Sequence, residues 1–359
     1  MVTEAQIREA LRSVLDPEIG RPIEDLGMLE GIEIEGELVH VRLLLTVAGC
    51  PLQDRIAGDV EAALAPLGVE RVEVNMAPMS EQQRADLVAK LRGGAAPTAQ
   101  QRTFFTSGGP TVIAVASGKG GVGKSSVTVN LAAALAADGY RVGLLDADIW
   151  GFSVPRMMGI TGQPVDVDDM ILPLEAHGVK VISMGFFVPA GTPVIWRGPM
   201  LHKAIEQFLG DVYWGDLDLL LVDLPPGTGD VAISLASFLP GASMLIVTTP
   251  QDAAREVAER AGKMAEKTNL RPIGVIENMS WFLCPRCGER TSIFGDGGGG
   301  KAAETLGVPL LGQVPLVPAL RAGGDEGTPI VVSEPDSPAG RALREAARKV
   351  AETVRSTAG

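Results

Sequence analysis

The octapeptide Gly118-Lys119-Gly120-Gly121-Val122-Gly123-Lys124-Ser125 carries the clearest chemistry in this 359-residue chain. It fits G-x-x-x-x-G-K-[ST], a spacing that lets glycine-rich backbone N–H groups converge on phosphate oxygens. An apolar run, residues 111–117, precedes it and a helical run, residues 126–137, follows it. The loop would therefore open a helix whose N-terminus favours an anion. In that frame Lys124 reaches the β- and γ-phosphates of ATP, Ser125 ligates Mg²⁺ and Ser126 continues the cradle. The plainer alternative is a glycine-rich turn that holds no ligand.

Three acids stand at the ends of apolar runs. Asp146 and Asp148 form D-A-D, and Asp223 closes residues 217–222. Ligands in open α/β sheets gather at strand ends beside such a loop. Asp223 is the candidate to hold Mg²⁺ through a water, and Asp148 to position an attacking water or make a switch contact. Asp146 belongs nearer Lys124 or the metal shell. Residues 225–230, P-P-G-T-G-D, read as a loop able to sense the γ-phosphate. For any one of these acids, a helix cap or turn is the alternative.

The chain has three cysteines, Cys50, Cys284 and Cys287. C-P-R-C-G brings two thiolates to one metal, as half of a zinc site, a cluster site or a redox pair. A redox pair usually opens a helix after a strand, and this one does not. Zinc and iron–sulfur sites both commonly take four ligands. One chain offers two here and two chains offer four, so the arithmetic favours a site shared across a homodimer. Cys50 precedes Pro51 at an expected helix start, which suits either an exposed low-pKa thiol or a small buried residue. His177 and His202 lack ligand spacing.

The elements that must position these residues fall into two blocks. Residues 1–92 read as a small α+β domain, with helices at 3–15, 51–64 and 80–91, a hairpin at 29–46 and a strand at 69–74. Residues 93–110, rich in Gly, Pro, Ser, Thr and Gln, read as a linker. Residues 111–359 alternate apolar runs with helical segments. The runs at 111–117, 141–146, 179–184, 217–223, 243–249, 273–278 and 310–314 are mostly apolar on both faces, as strands of a covered parallel sheet must be. The fold class expected is α/β with a mostly parallel sheet, preceded by the small α+β domain. A net charge of −13 argues against a nucleic-acid surface. No apolar run approaches the ~20 residues of a membrane helix, no targeting segment is visible, and few cysteines suit a reducing cytoplasm.

Lys119, directly after the first glycine, makes K-G-G-V-G-K-S a deviant Walker A sequence. It resembles the nucleotide-switch ATPases, in which the early lysine crosses a dimer interface to the partner's nucleotide. In that class an Asn at the place of Asn278 reads adenine; a turn-forming Asn is the alternative. Taken with LLDADIWG, WRGPM, DLLLVDLPPGTGD, VIENMSWF and CPRCG, the chain resembles the Mrp/ApbC-type P-loop ATPases, the iron–sulfur cluster carriers. DPEIG, DLGM and TVAGCP resemble the MIP18-like small domain often fused ahead of that ATPase.

The resemblance implies a slow ATPase with Lys119, Lys124, Asp148 and Asp223 in catalysis. It implies a [4Fe–4S] cluster bound by Cys284 and Cys287 of two chains and transferred to apo client proteins. Where the family commonly has Tyr-Gly-Pro-Ser after D-A-D-I, this chain has Trp150-Gly151-Phe152-Ser153. The alternative reading is a zinc-stapled switch ATPase of the positioning or partition kind. That reading needs an anchor or basic patch that the sequence lacks.

Overall fold

The computed structural model describes residues 2–36, 38–46, 52–69, 71–91, 109–148, 151–188, 198–227 and 230–358. The expected linker through residue 108, Cys50, Trp150, Trp196, Arg197, Thr228 and Gly229 lie outside them. Two compact units result. One comprises Met1–Arg102, Val165–Pro173 and Asp211–Gly215; the other comprises Thr103–Pro164, Leu174–Gly210 and Asp216–Gly359.

The first unit is a three-stranded sheet with helices. Thr3 and Gln6 form the expected capping box at helix Glu4–Leu11. Strands Leu29–Glu35 and Leu38–Leu45 pair antiparallel, and Arg71–Pro78 joins the second in parallel. Helix Gln53–Leu64 begins after Leu52, later than expected. Its buried face, Ile56, Val60 and Leu64, meets Ile7, Leu11 and Leu43 in one core. Val167, Met170, Leu172 and Tyr213 lie in that same core. This is why 165–173 and 211–215, assigned by sequence to the second block, belong to the first compact unit.

The second unit is built on eight strands. Across the sheet they run Leu310–Gln313, Arg271–Glu277, Ser243–Thr248, Thr111–Ser117, Leu219–Asp223, Val142–Asp146, Val179–Ser183 and Leu174–Ala176. Only the last is antiparallel to its neighbour. The fold is thus the mostly parallel α/β sheet expected, with the phosphate-loop strand near its middle. Helix Lys124–Ala137 has ten buried residues and is apolar nearly all round. Such a helix needs cover on its far side. Helix Pro338–Ala358 supplies it with the stripe Leu343, Ala347, Val350 and Val354.

One crossing of glycines locks two loops together. Gly159 (φ +66°) and Gly327 (φ +77°) both adopt left-handed backbone, and a Cβ on Gly159 would lie 2.7 Å from the Gly327 carbonyl oxygen. The contact ties short helix Val154–Met157, which follows the D-A-D acids, to the end of helix Pro318–Glu326. Arg156 and Asp325 add an exposed ion pair at 3.3 Å. Gly327→Ala should cost about 1–3 kcal/mol or more, because strained φ and a backbone clash combine. Urea unfolding would show a lower midpoint at unchanged slope. An unshifted midpoint would mean the crossing yields freely.

Candidate functional site

The phosphate loop needs its glycines for two reasons: Gly118 and Gly123 have no room for a side chain, and Gly121 and Gly123 adopt left-handed backbone. A Cβ on Gly118 would lie 2.5 Å from the Val257 carbonyl carbon and 2.7 Å from the Ala258 nitrogen, so the loop packs on the backbone of helix Asp252–Lys267. Gly121 and Gly123 have φ of +81° and +79°, and Gly123 is the N-cap of helix Lys124–Ala137. Polar bonds hold the loop from outside. Ser117 Oγ donates to the Lys119 carbonyl (3.1 Å), and Gly227 N–H donates to the Ser117 carbonyl (2.8 Å). Asn278 Nδ2 donates to the Val122 carbonyl (2.9 Å).

Beneath the loop, strand register sets the charges. Asp223, Asp146 and Ser183 occupy matched positions on three adjacent parallel strands. All three are fully buried. Lys124 Nζ lies 2.7 Å from Asp223 Oδ2, and Ser125 Oγ donates to the same oxygen at 2.5 Å. Thr128 Oγ1 lies 2.8 Å from Asp223 Oδ1 and 2.9 Å from the Lys124 carbonyl. Ser183 Oγ donates to Asp146 Oδ2 at 2.9 Å, and Asp148 N–H to Asp146 Oδ1 at 3.2 Å. Burial, then the Asp223 charge beside it, pushes the Asp146 carboxyl up to about 7, against the pull of these two bonds and of Lys124. Asp148 is buried, and its Oδ1 accepts from Gly151 N–H at 3.2 Å.

Thr128 and Ser183 escaped the sequence reading. Thr128 had a usable signal: it stands one helical turn beyond Lys124 and so shares its face. Ser183 had none, because only the register brings it to Asp146. Lys119 is half-buried, with Nζ 3.4 Å from Gln251 Oε1, which also accepts from Thr249 Oγ1. Asn278, expected to face a base, instead has one amide N–H committed to the loop. Its side chain nevertheless lines a cavity of about 220 Å³ together with Gly123 and Ser126, the apolar Met157, Met279, Pro315, Leu316, Val317 and Leu320, and the paired charges Arg321 and Asp325. Most of that lining is apolar and Gly123 and Ser126 bring the phosphate loop into it, which suits a flat aromatic ring with a few polar groups at its edge.

Cys284 and Cys287 sit at the turn of a hairpin, Phe282–Leu283 paired with Arg290–Thr291. Cys284 N–H donates to the Glu289 carbonyl at 3.0 Å, and Gly288 N–H to the Cys284 carbonyl at 2.9 Å. The turn aims the N–H groups of Arg286 and Cys287 at Cys284 sulfur, which with the Cys287 thiol draws its pKa below the ordinary thiol value. Cys287 is exposed and Cys284 half-buried. Among the described residues no group of three His, Cys, Asp or Glu converges as a metal site. Nor is any helix long and apolar enough to cross a membrane.

The fold and loop define a P-loop nucleoside-triphosphatase domain that carries a pair of cysteines at a hairpin turn. Comparison with known proteins narrows the class. Residues 110–351 match the NUBPL iron-transfer P-loop NTPase family, and residues 4–76 match an iron–sulfur cluster assembly protein family. The chain belongs to the NUBPL iron-transfer P-loop NTPase family. A Mycobacterium leprae protein named iron-sulfur cluster carrier protein is 52% identical over 368 residues, 99% of this chain and 94% of its own length. One of the same name from Bacillus subtilis is 46% identical, covering 88% and 89%. Among solved structures, an Archaeoglobus fulgidus nucleotide-binding protein in complex with ADP is 39% identical, at a TM-score of 0.54, over 60% of this chain and 86% of that one. The Pyrococcus furiosus cell division ATPase MinD is 25% identical at 0.51, over 67% and 98%.

The raised Asp146 carboxyl makes a signed prediction for the protein without nucleotide. The folded chain keeps a proton between pH 3.8 and about 7 that the unfolded chain releases. Stability from this group is therefore present at low pH and lost as pH rises through about 7. Asp146→Asn has no proton to lose. Its stability relative to wild type should improve by more than about 1 kcal/mol between pH 5 and pH 8, read from urea midpoints. A pH-independent gap would mean that Asp146 is charged throughout.

Proposed function

We propose that this chain is an ATP-binding and ATP-hydrolysing carrier that holds a [4Fe–4S] cluster between two copies of itself and delivers it to apoproteins. The observation that carries the reading is the pairing of two features in one compact unit: a phosphate loop backed by buried acids, and a hairpin that presents two thiolates and no third ligand among the described residues. The names borne by relatives across nearly the whole chain support it.

In this reading Gly118 to Ser126 cradle the phosphates with backbone N–H groups, and Lys124 leaves Asp223 for the β- and γ-phosphates. Ser125 and Asp223 fit Mg²⁺, since a hydroxyl and a carboxylate oxygen already meet at 2.5 Å where the loop ends. Mg²⁺ would neutralise charge on the phosphates. Asp148 orients water at the strand end, and Lys119 reaches the partner copy's nucleotide. Asn278 offers its second amide N–H to the base. Cys284 and Cys287 of each copy supply the four thiolates. The clients are apo iron–sulfur proteins and assembly scaffolds of a reducing cytoplasm, with neither nucleic acid nor membrane involved.

Anaerobic reconstitution with iron and sulfide tests the reading. Wild type should gain a cluster absorption band with four irons per two chains, and Cys284→Ala or Cys287→Ala should abolish it. Tight stoichiometric zinc without a cluster band would instead support a zinc staple. In titrations, Lys124→Ala should lose Mg-ATP affinity by about 10-fold or more, as expected from losing a charge-assisted bond. Lys119→Ala should bind ATP yet hydrolyse it poorly; wild-type turnover there would remove the cross-dimer role.

A further inference from the structure

The wall of the ring-sized cavity and the base of the thiolate hairpin are the same strip of backbone. Leu316 lines the cavity between Pro315 and Val317. Its N–H donates to the Trp281 carbonyl at 2.8 Å, its carbonyl accepts from Leu283 N–H at 3.4 Å, and it forms a parallel bridge with Phe282. One step earlier, Ser280 N–H donates to the Val314 carbonyl at 3.0 Å. Residues 280–283 are therefore laid along 314–316, and Cys284 is the next residue.

A second lining residue points the same way. Asn278, whose amide holds the phosphate loop, is followed by Met279, which lines the cavity with φ of +55°. A non-glycine residue held there is strained and persists only where its surroundings impose it. The chain thus leaves the loop, passes the cavity through a strained residue and reaches the first cysteine of the pair six positions beyond Asn278. Beyond Cys284 the hairpin tip, residues 285–293, is largely exposed, so its setting depends on its stem.

We propose that Leu316 is a positioning residue for the thiolate pair: a purine ring seated in the cavity presses on Leu316 and Met279, orders the 280–283 strip and so fixes the Cys284–Cys287 turn. Base occupancy, rather than phosphate occupancy alone, is then what the cysteines sense. This rests on the reading above, in which the cavity takes the nucleotide base.

Hydrogen exchange of the full chain, read by mass spectrometry over residues 281–290, tests it. Saturating Mg-ADP should slow exchange there by about fivefold or more, the lower end of ordinary coupling between sites. Mg-pyrophosphate, at concentrations that displace ADP in a competition titration, should leave it unchanged. At saturating ADP, Leu316→Ala should lose the slowing, and Leu316→Met, which keeps the wall, should retain it. Slowing by pyrophosphate, slowing that survives in Leu316→Ala, or ADP binding without slowing would each overturn the inference while leaving the carrier reading intact. Failure of ADP to bind in calorimetry would remove both.

Discussion

One buried lysine facing two buried carboxylates is the constraint on which the rest of this structure depends. Parallel pairing puts Asp223 and Asp146 side by side on neighbouring strands, an arrangement that like charges oppose. Lys124 pairs directly with Asp223 at 2.7 Å and acts on Asp146 only as a weaker, unpaired charge. The remainder is spread over hydroxyls: Ser125 and Thr128 on Asp223, Ser183 on Asp146. Removing either member of such a pair leaves an uncompensated buried charge, which is far more costly than never having had the pair. The site therefore holds buried charge that the protein alone balances imperfectly.

That electrostatic knot dictates the packing around it. The loop must come down on Asp223 closely enough for Lys124 and Ser125 to reach it, and the approach is possible only where side chains are missing. Gly118 lies against helix backbone and Gly123 against the Asn278 amide. Glu277, at the end of strand Arg271–Glu277, organises its own surroundings in a comparable way. It is buried, its carboxylate accepts from Gly299 N–H at 2.6 Å and from Gln313 at 2.8 Å, and it anchors the start of helix Gly298–Leu306. Two glycines of the run 297–300 thus have a packing reason: a Cβ on Gly299 would fall 2.6 Å from Glu277 Cβ, and one on Gly298 2.7 Å from the Pro250 carbonyl carbon.

What was legible in the sequence follows from how local each determinant is. The phosphate loop, its strand and its helix are contiguous, so spacing alone located them. The parallel strands were legible because burial on both faces leaves continuous apolar runs. Asp146 and Asp223 stand at strand ends, as their runs implied. Thr128 needed helical geometry, and Ser183 needed the register between strands that share no sequence signal. The hairpin around the cysteines has strands of two residues each, too short for any periodicity to mark. Val167, Met170, Leu172 and Tyr213 joined the smaller core against their place in the chain, because apolar pattern reports that a residue is buried and not against what.

Asn278 shows how a single residue can satisfy two readings at once. As a turn former it would need only its own backbone, and its Oδ1 does accept from Met279 N–H at 2.9 Å. Its Nδ2, however, reaches across 156 positions to the Val122 carbonyl. The phosphate loop is thereby tied to the segment that leads to the cysteines. Amides suit this duty better than a charged group would, since donor and acceptor are both used without adding to the burden at Asp146 and Asp223. The phosphate loop and the cysteine pair are thus separated by one short stretch of backbone, whose geometry neutral, hydrogen-bonded polar groups define.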